Sequence, residues 1–528
     1  MTDTARISAE GRRAAAARDW GRVRACGLEI RRLAPRDPEG PFLLGLVEKA
    51  AGRPRQAADS FQVALDLGAE RYDAAIELAF QRVLLNRHRE AVELLDGNRS
   101  RLSNSPRYLN LAGEGYARMG MYEEAWSLYE RALELQPDVE IFQANLAACA
   151  VYLGRIDTAR DLYGKLLEKH PSHQRNHYEL ARLTRATNDR HVEQMRAVLA
   201  SSDPDPARNI FLFYALGKEL EDLERWDEAF EFYRKGGDAA RSAMTYDVGD
   251  DIAVIDRIVE TCDAKWLSDH PATGACDVTP IFIVGLPRTG TTVTERILSS
   301  HSMVETVGET QLMQMVLRSA SGIESGGEMT PQVIAAAAKA PAEELGRGYL
   351  EAVSHRLGGA GYFIDKLPEN VLYLGFVAKA WPDARMVHLR REPMDACFAL
   401  YKQSYFRFAY TLDDLGRYYL AYDRLSRHWR AVLGERLVEV EYERLVADQA
   451  GETKRLLDRL GLPFEEACLH FEHNVAPIAT ASSAQVREKL HTRSVGRWRQ
   501  FETQLAPLRE CLEAGGVRVG DGEGVDEK

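Results

Sequence analysis

Hydrophobic and small residues in the first half of the chain recur with a period of 34 residues. The stretches GMYEEAWSLYERALELQP (120–137) and GRIDTARDLYGKLLEKHP (154–171) place glycine, alanine and proline at matching positions, 34 residues apart. The same register extends back through Asn86 and Gly52 to Trp20. Apolar residues within each stretch follow helical spacing, so each repeat is predicted to contain helices that bury one face.

Each repeat is predicted to be a pair of antiparallel helices. Glycine or asparagine would end the first helix in a left-handed conformation, alanine would let two helices approach closely, and proline would stop the second helix. About seven such units cover residues 8–237, and their 34-residue register resembles the tetratricopeptide repeat. The resemblance implies either a concave groove that holds a peptide or protein partner, or a purely structural or oligomeric role.

The second half alternates apolar strands with longer helical segments. The predicted strands are PIFIVGL (280–286), GYFIDK (361–366), ARMVHLRR (384–391) and RLVEVEYE (436–443). Continuous apolar strands separated by helices predict a parallel sheet covered on both faces. The sequence therefore predicts an all-α repeat domain, then a connecting helix and linker over residues 238–277, then an α/β domain over residues 278–528.

Composition and charge narrow the classes of partner. The net charge of −12 argues against broad nucleic-acid binding, which needs a basic face. The first residues contain no apolar signal segment, and no run of about 18 apolar residues predicts a membrane span. The seven cysteines are scattered and never show C-x-x-C spacing, which favours reduced thiols over disulfides or a zinc site. We expect a cytoplasmic protein that binds neither nucleic acid nor membranes.

A phosphate-binding loop is predicted after the first strand, in the stretch IFIVGLPRTGTT (281–292). Gly285 and Gly290 have the G-x-x-x-x-G spacing of nucleotide-binding loops, but threonine replaces the usual lysine. Backbone N–H groups of such a loop, with the start of the next helix, form an anion site. Arg288 and the neighbouring threonine hydroxyls would supply the remaining contacts. This set favours a strongly charged phosphate that carries another oxyanion, with no metal required.

Five blocks, in order along the chain, resemble the sulfotransferase superfamily. They are FIVGLPRTGTT, VGET, DKLPEN, HLRREPMD and TASSAQVREKLHTRSVGRW, and the resemblance covers residues 280 to about 510. Tyrosylprotein sulfotransferases, and bacterial sulfotransferases preceded by tetratricopeptide repeats, look most similar. The resemblance implies that a sulfuryl group passes in line from 3′-phosphoadenosine 5′-phosphosulfate (PAPS) to an acceptor hydroxyl. The acceptor stays open among a protein tyrosine, a carbohydrate, a lipid and a small alcohol.

The resemblance also implies chemical roles for single residues. Glu309, 21 residues after Arg288, would be the base that takes the acceptor's proton. Lys366, at the end of a predicted strand, would neutralise the departing oxygen. Arg391 would hold the 3′-phosphate, and its neighbour Arg390 is the other candidate for that contact.

Further residues are implied as donor contacts. The 5′-phosphosulfate would lie on the loop, at Arg288, Thr289, Gly290, Thr291 and Thr292. Tyr442 would lie beside the adenosine, Ser482 would help to hold the sulfuryl group, and Arg497 would be a basic contact to the donor.

Two departures from the family pattern concern the donor and the acceptor. Ala399 stands where a serine usually follows the 3′-phosphate arginine, so one phosphate hydrogen bond is missing. Three basic residues could replace it: Lys402, Arg390 and Lys489. Gln311 and Gln314 stand where tyrosylprotein sulfotransferases carry arginines that read acidic residues around the target tyrosine. The chemistry is therefore predicted more firmly than the acceptor.

Two other functions remain alternatives. A P-loop kinase or other nucleotide triphosphatase would need the absent loop lysine and a magnesium-binding aspartate after a strand. A repeat scaffold with a weakened catalytic half would explain Ala399, but it would not explain Glu309 and Lys366. The sequence favours the sulfotransferase.

Overall fold

The structure is a computed structural model of the chain. It describes residues 3–102, 104–272, 278–323, 326–474, 476–477, 487 and 489–520, apart from the side chain of residue 355.

Antiparallel helices occupy the first part of the chain, as the 34-residue period predicts. Their bounds are α1 Asp3–Ala16, α2 Trp20–Leu33, α3 Glu39–Ala50, α4 Pro54–Leu67, α5 Tyr72–Leu84, α6 His88–Asn98, α7 Pro106–Arg118, α8 Tyr122–Leu135, α9 Glu140–Tyr152, α10 Ile156–Lys169, α11 Gln174–Leu183, α12 Arg190–Ser201, α13 Ile210–Asp222 and α14 Trp226–Ser242. The tetratricopeptide-like helical region is thereby confirmed.

Left-handed residues end the first helix of successive hairpins. Their positive φ angles occur at Arg18, Gly52, Asn86, Gly120 and Gly154, which are spaced by 34 residues. The register then slips by two residues, and the last such position is Glu224, with φ of 60°. The alanines five residues after these positions, among them Ala57, Ala125 and Ala229, are completely buried at the helix crossings. Both features follow from the sequence pattern.

The chain divides into two compact units, Met1–Leu162 and Tyr163–Lys528. The first unit contains α1 to α9 and the start of α10, with apolar cores built around side chains such as Phe42, Phe61, Tyr116 and Tyr129. The second unit contains the remaining repeat helices together with the α/β region. Within it, side chains of α11, α13 and α14 belong to the same buried apolar cluster as one face of the sheet.

The α/β region contains the remaining helices and the strands. In chain order they are α15 Val248–Thr261, α16 Ala264–Ser268, β1 Thr279–Gly285, α17 Thr291–Ser299, β2 Val304–Gly308, α18 Leu312–Ser321, α19 Pro331–Ala337, α20 Ala342–Val353, β3 Tyr362–Lys366, α21 Leu374–Ala380, β4 Arg385–Arg390, α22 Pro393–Tyr401, α23 Leu412–Leu433, β5 Leu437–Glu441, α24 Tyr442–Ala447, α25 Gln449–Leu460 and α26 Ala506–Ala514.

The described strands form one parallel sheet in the order β2-β3-β1-β4-β5. The four predicted strands are present, and the structure adds β2, which the sequence analysis missed. The sequence of β2, VETVG, is only five residues long, and Glu305 and Thr306 separate its two valines, so it contains no run of adjacent apolar side chains. A 3₁₀ segment, Pro368–Tyr373, lies between β3 and α21.

Both faces of the sheet are covered, which explains the continuous apolar strands. In β1, Ile281 and Ile283 pack on one side with residues of α17 and α25. Phe282 and Val284 pack on the opposite side in the larger cluster, which includes side chains of α23 and α26. Alternate residues of a strand point to opposite faces, so a strand buried on both sides must be apolar throughout.

Candidate active site

The residues singled out in the sequence lie along one edge of the sheet. All five strands are parallel, so their carboxyl ends meet at that edge. Taken in spatial order, Glu309 follows β2, Lys366 ends β3, Arg288 lies in the loop after β1, Arg391 follows β4 and Tyr442 follows β5. Adjacent strands lie about 4.8 Å apart, so these residues mark an edge about 19 Å long. Such an edge suits an extended ligand.

The direction in which the chain adds strands to the sheet changes between β1 and β4. After β1, the chain forms β2 and β3 on one side of β1 within the sheet, and it then forms β4 and β5 on the other side of β1. Open α/β sheets form their binding crevice at such a reversal, outside the carboxyl ends of the strands. Arg288 and Arg391 lie there.

The loop after β1 needs both of its glycines. A Cβ atom at Gly285 would lie 2.6 Å from the carbonyl oxygen of Leu389. Gly290 has φ of +99°, and a Cβ there would lie 2.6 Å from Cδ2 of Tyr442. Arg288 also adopts a positive φ, 69°, which is unusual for a residue with a side chain. The backbone therefore makes a tight cradle between β1 and α17.

The cradle is positive and lined with hydroxyls. Thr289, Thr291 and Thr292 are buried, and the Thr289 hydroxyl donates to the carbonyl of Leu286 at 2.6 Å. Burial lowers the pKa of the Arg288 guanidinium, and the nearby positive charges of other arginines lower it further. The start of α17 adds the partial positive charge of a helix N-terminus. An anion in the cradle would relieve this concentration of positive charge.

Arg391 connects the cradle to the far side of the edge. Its guanidinium donates to the carbonyl of Arg288 at 2.9 Å and to the carbonyl of Ser494 at 2.6 Å. The same group lies over the ring of Tyr442, 4.9 Å from the ring centroid. Arg390 instead lies 3.9 Å from the carboxylate of Glu439. Of the two adjacent arginines, Arg391 is the one in contact with the loop.

Glu309 and Lys366 form an ion pair at the β2 and β3 end of the edge. The Lys366 side chain is completely buried, whereas the Glu309 side chain is 32% exposed. Burial raises the pKa of Glu309, and the Lys366 ammonium opposes this shift. A second carboxylate, Glu295 of α17, lies 3.5 Å from the Lys366 ammonium. The pair thus offers a partly accessible base beside a buried positive charge.

A second link holds the ends of β2 and β3 together. The Thr310 hydroxyl donates to Asp365 at 2.6 Å, and Tyr349 and Asn370 donate to the same buried carboxyl group. Burial raises the pKa of Asp365 to about 7. Since Thr310 follows Glu309 and Asp365 precedes Lys366, this link helps to fix the spacing of the Glu309–Lys366 pair.

Several residues of the site were missed from the sequence. Glu295 and Glu369 both lie near Lys366, and burial raises the pKa of Glu369 with a further contribution from Glu309. Glu369 could have been found, because it belongs to the DKLPEN block. Arg182 of α11 lies close enough to Arg288 to lower its pKa, and no local motif signals a contact between residues so distant in sequence.

Other candidate residues lie away from this cluster. Arg497 donates to Glu221 at 3.1 Å and lies over the ring of Trp226, and Lys402 also binds Glu221. Lys489 is exposed. Ser482 lies outside the described residues, so its role stays a prediction.

Neither a metal-binding cluster nor a membrane-crossing helix occurs among the described residues. They contain no group of three or more histidine, cysteine, aspartate or glutamate side chains arranged to hold a metal ion. Among them there is also no helix that is both long and apolar enough to cross a membrane.

The fold and the edge define an α/β protein with a buried, arginine-bearing loop and a carboxylate–lysine pair at the same edge of its sheet. A family model described as "Sulfotransferase family" matches residues 280–466, and a tetratricopeptide repeat model matches residues 116–183. The chain therefore combines a tetratricopeptide-repeat region with a domain of the sulfotransferase family.

Proteins from three organisms are similar to this chain over different parts of its length. An uncharacterized protein of Aquifex aeolicus (strain VF5) is 26% identical over 93% of this chain and 67% of its own length. A putative protein-tyrosine sulfotransferase of Caenorhabditis briggsae is 22% identical over 41% of this chain and 80% of its own. Protein-tyrosine sulfotransferase 1 of Danio rerio is 25% identical over 40% of this chain and 61% of its own.

Solved structures resemble separate parts of the chain. The sulfotransferase domain from the curacin biosynthetic pathway is 13% identical and covers 46% of this chain and 99% of its own, with a TM-score of 0.33. Pseudomonas aeruginosa pilF is 22% identical and covers 38% of this chain and 90% of its own, with a TM-score of 0.31. Both scores are low, so the assignment of the domain depends on the family model.

Proposed function

We propose that this protein transfers a sulfuryl group from PAPS to an acceptor hydroxyl. The observation that carries the proposal is the order of side chains along the sheet edge. A base and a buried lysine lie at one end, the arginine-bearing cradle lies in the middle, and an arginine and a tyrosine lie at the other end. This is the order that a nucleotide donor with a reactive sulfate at one end requires.

The residues present fit the chemistry of PAPS. The donor carries two phosphate groups, a sulfuryl group and an adenine ring, and it would supply the sulfuryl group for transfer. Arg288 and the threonines of the cradle would hold the 5′-phosphosulfate, and Arg391 would hold the 3′-phosphate. Nε of Arg391 is buried without a hydrogen-bond partner among the described residues, which fits a contact reserved for an anion. The Tyr442 ring offers a flat surface to the adenosine.

Glu309 and Lys366 would divide the chemical work. Glu309 accepts the proton that leaves the acceptor hydroxyl as its oxygen bonds to sulfur. Its raised pKa makes it a stronger base than an exposed glutamate, yet its contact with Lys366 keeps the charged form accessible. Lys366 places fixed positive charge where negative charge develops on the departing phosphate oxygen. Neither role needs a metal ion.

The acceptor that we favour is a hydroxyl on a protein, such as a tyrosine. Two observations support this choice: relatives named as protein-tyrosine sulfotransferases, and the repeats in the first half, which could hold a peptide. Gln311 lies directly after the VGET block and immediately before α18, and Gln314 lies in the first turn of that helix. Uncharged amides at these positions favour an acceptor sequence less acidic than arginines would select.

Labelled-sulfate transfer tests the proposal. Full-length protein is incubated with PAPS carrying ³⁵S and with extracts that contain proteins, carbohydrates and small alcohols. We expect label in a protein fraction, and we expect Glu309→Gln to abolish most of it. Glu305→Gln, four residues earlier in β2, is the matched control and should retain transfer, because its carboxylate accepts from Gly358 and lies outside the reactive pair. Absence of transfer to every fraction, or equal transfer by both variants, would contradict the proposal.

A further inference from the structure

Glu221 of α13 is a buried carboxylate with three cationic or hydroxyl partners in the second compact unit. It accepts from Lys402 at 2.9 and 3.0 Å, from the Tyr233 hydroxyl at 2.8 Å and from Nε of Arg497 at 3.1 Å. Burial acts to raise the pKa of Glu221, but these partners outweigh it and hold the pKa below its ordinary value. Because the ionised carboxylate is buried, loss of one of these partners would leave its charge uncompensated and would be strongly destabilising.

Arg497 belongs to residues 494–498, a stretch that we call the closing segment. Asp395, at the start of α22, fixes its backbone by accepting from the Gly496 N–H at 2.5 Å and from the Trp498 N–H at 3.2 Å. Trp498 is buried. The closing segment is therefore held from the α22 side by Asp395 and from the α13 side by Glu221.

The same segment contacts the donor end of the sheet edge. The carbonyl of Ser494 accepts from Arg391 at 2.6 Å, and the Ser494 hydroxyl lies 2.8 Å from the hydroxyl of Tyr442. Arg391 and Tyr442 are the two residues assigned above to the 3′-phosphate and the adenosine. A shift of the closing segment would therefore move both of them.

We propose that Glu221 is a positioning residue for the donor site, and that it acts through Arg497 and the closing segment on Arg391 and Tyr442. The inference rests on the proposed function only for the identity of the ligand. Helix α13, the last but one of the described repeat helices, would then help to shape the donor site. The last repeat hairpin is then more than a recruiting surface, because the donor site depends on it.

The test compares Glu221→Gln with Glu219→Gln in the full-length protein. Both residues are buried carboxylates on α13, but Glu219 pairs with His191 at 2.6 Å and not with the closing segment. Amide hydrogen exchange is measured at residues 494–498, and the affinity for 3′-phosphoadenosine 5′-phosphate (PAP) is measured by calorimetry. We expect Glu221→Gln to speed exchange in the closing segment and to weaken PAP binding at least about fivefold, the lower end of ordinary coupling between sites. Glu219→Gln should change neither.

A double variant distinguishes the loss of the Glu221–Arg497 contact from general misfolding. Glu221→Gln with Lys402→Met removes the buried charge together with its closest cation, so the melting temperature should recover toward that of the wild type. Weak PAP binding and fast exchange should persist, because Arg497 still lacks its carboxylate partner. Unchanged exchange in Glu221→Gln, or an equal effect of Glu219→Gln, would overturn the inference. The exchange result stands even if the wild type does not bind PAP, an outcome that would instead overturn the proposed donor.

Discussion

Glu309 and Lys366 touch each other, yet their substitution should have different consequences. Glu309→Gln keeps the size of the side chain and removes its ability to accept a proton, so turnover should fall by about 10²- to 10⁴-fold with little change in PAP affinity. Lys366→Met removes a buried positive charge, so turnover and PAP affinity should both fall. Transfer rates and calorimetry on the two variants separate these roles. A Glu309→Gln enzyme with nearly wild-type turnover would show that another group takes the proton.

The raised pKa of Glu309 predicts the acid limb of the pH–rate profile. Only the ionised carboxylate accepts a proton, so kcat/KM should be lost as pH falls through the pKa of the folded protein. Because burial raises that pKa, the midpoint should lie above about 4.3, the ordinary value for glutamate. Lys366 opposes the shift, so the residual activity of Lys366→Met should show a midpoint at still higher pH. A limb at or below the ordinary value, or one that moves down in the variant, would contradict this assignment.

Asp365 predicts a dependence of stability on pH. Its pKa is about 7 in the folded protein and about 3.9 in an unfolded chain. The folded state therefore holds this proton more tightly, and the resulting stability is present at low pH and lost as pH rises through about 7. Asp365→Asn should flatten the change in melting temperature between pH 5 and pH 8. An identical pH dependence in the variant and the wild type would show that Asp365 does not titrate in this range.

At the level of elements, the loop between β1 and α17 has no room for a side chain at Gly290. Gly290→Ala would place a methyl group against Tyr442 and force a left-handed φ on alanine. We expect PAP affinity to fall about tenfold, equivalent to about 1.4 kcal/mol of binding energy. Gly461→Ala is the matched control, because Gly461 has φ of +75° but a methyl group added there would meet no atom within 4 Å. Equal losses of affinity in both variants would mean that backbone strain, and not the contact with Tyr442, is responsible.

The sequence predicts those elements whose signals are local. The left-handed residues and alanines of the hairpins follow a fixed period, and β1 is buried on both faces, so its apolar run is continuous. The short strand β2 pairs with β3 at the edge of the sheet, and three of its five residues are partly exposed. Its position is set by tertiary pairing, which leaves little trace in five residues.

The site shows the same division between local and distant signals. Glu309, Lys366, Arg288, Arg391 and Tyr442 could each be found, because a motif surrounds each one and parallel strands bring their ends to one edge. The contacts of the repeat helices with this region, such as Glu221 with Lys402 and Arg182 near Arg288, join residues more than 100 positions apart. No local spacing in the sequence predicts such contacts, and only the folded structure shows them.

At the level of the molecule, the compact units predict which truncations survive. Since α11 to α14 lie in the same unit as the sheet, residues 163–528 should fold and bind PAP. Residues 265–528 should bind PAP weakly or fail to fold, because this shorter fragment lacks Glu221 and exposes the surface on which Phe230 stacks against Tyr401. Circular dichroism and calorimetry on both fragments check this. A folded 265–528 fragment with full affinity would show that the donor site needs no repeat helix.

In the proposed function, the cradle and the sheet edge bind a PAPS-type nucleotide without a divalent metal. Calorimetric titration of the full-length protein with PAP, in the presence of a metal chelator, measures this binding. The arginine-bearing cradle predicts tight binding of PAP under these conditions, lost in Arg288→Ala, and weaker binding of ATP whether or not magnesium is added. Tight binding of ATP that requires magnesium, with little or no binding of PAP, would contradict the claim and would favour a P-loop kinase or other nucleotide triphosphatase.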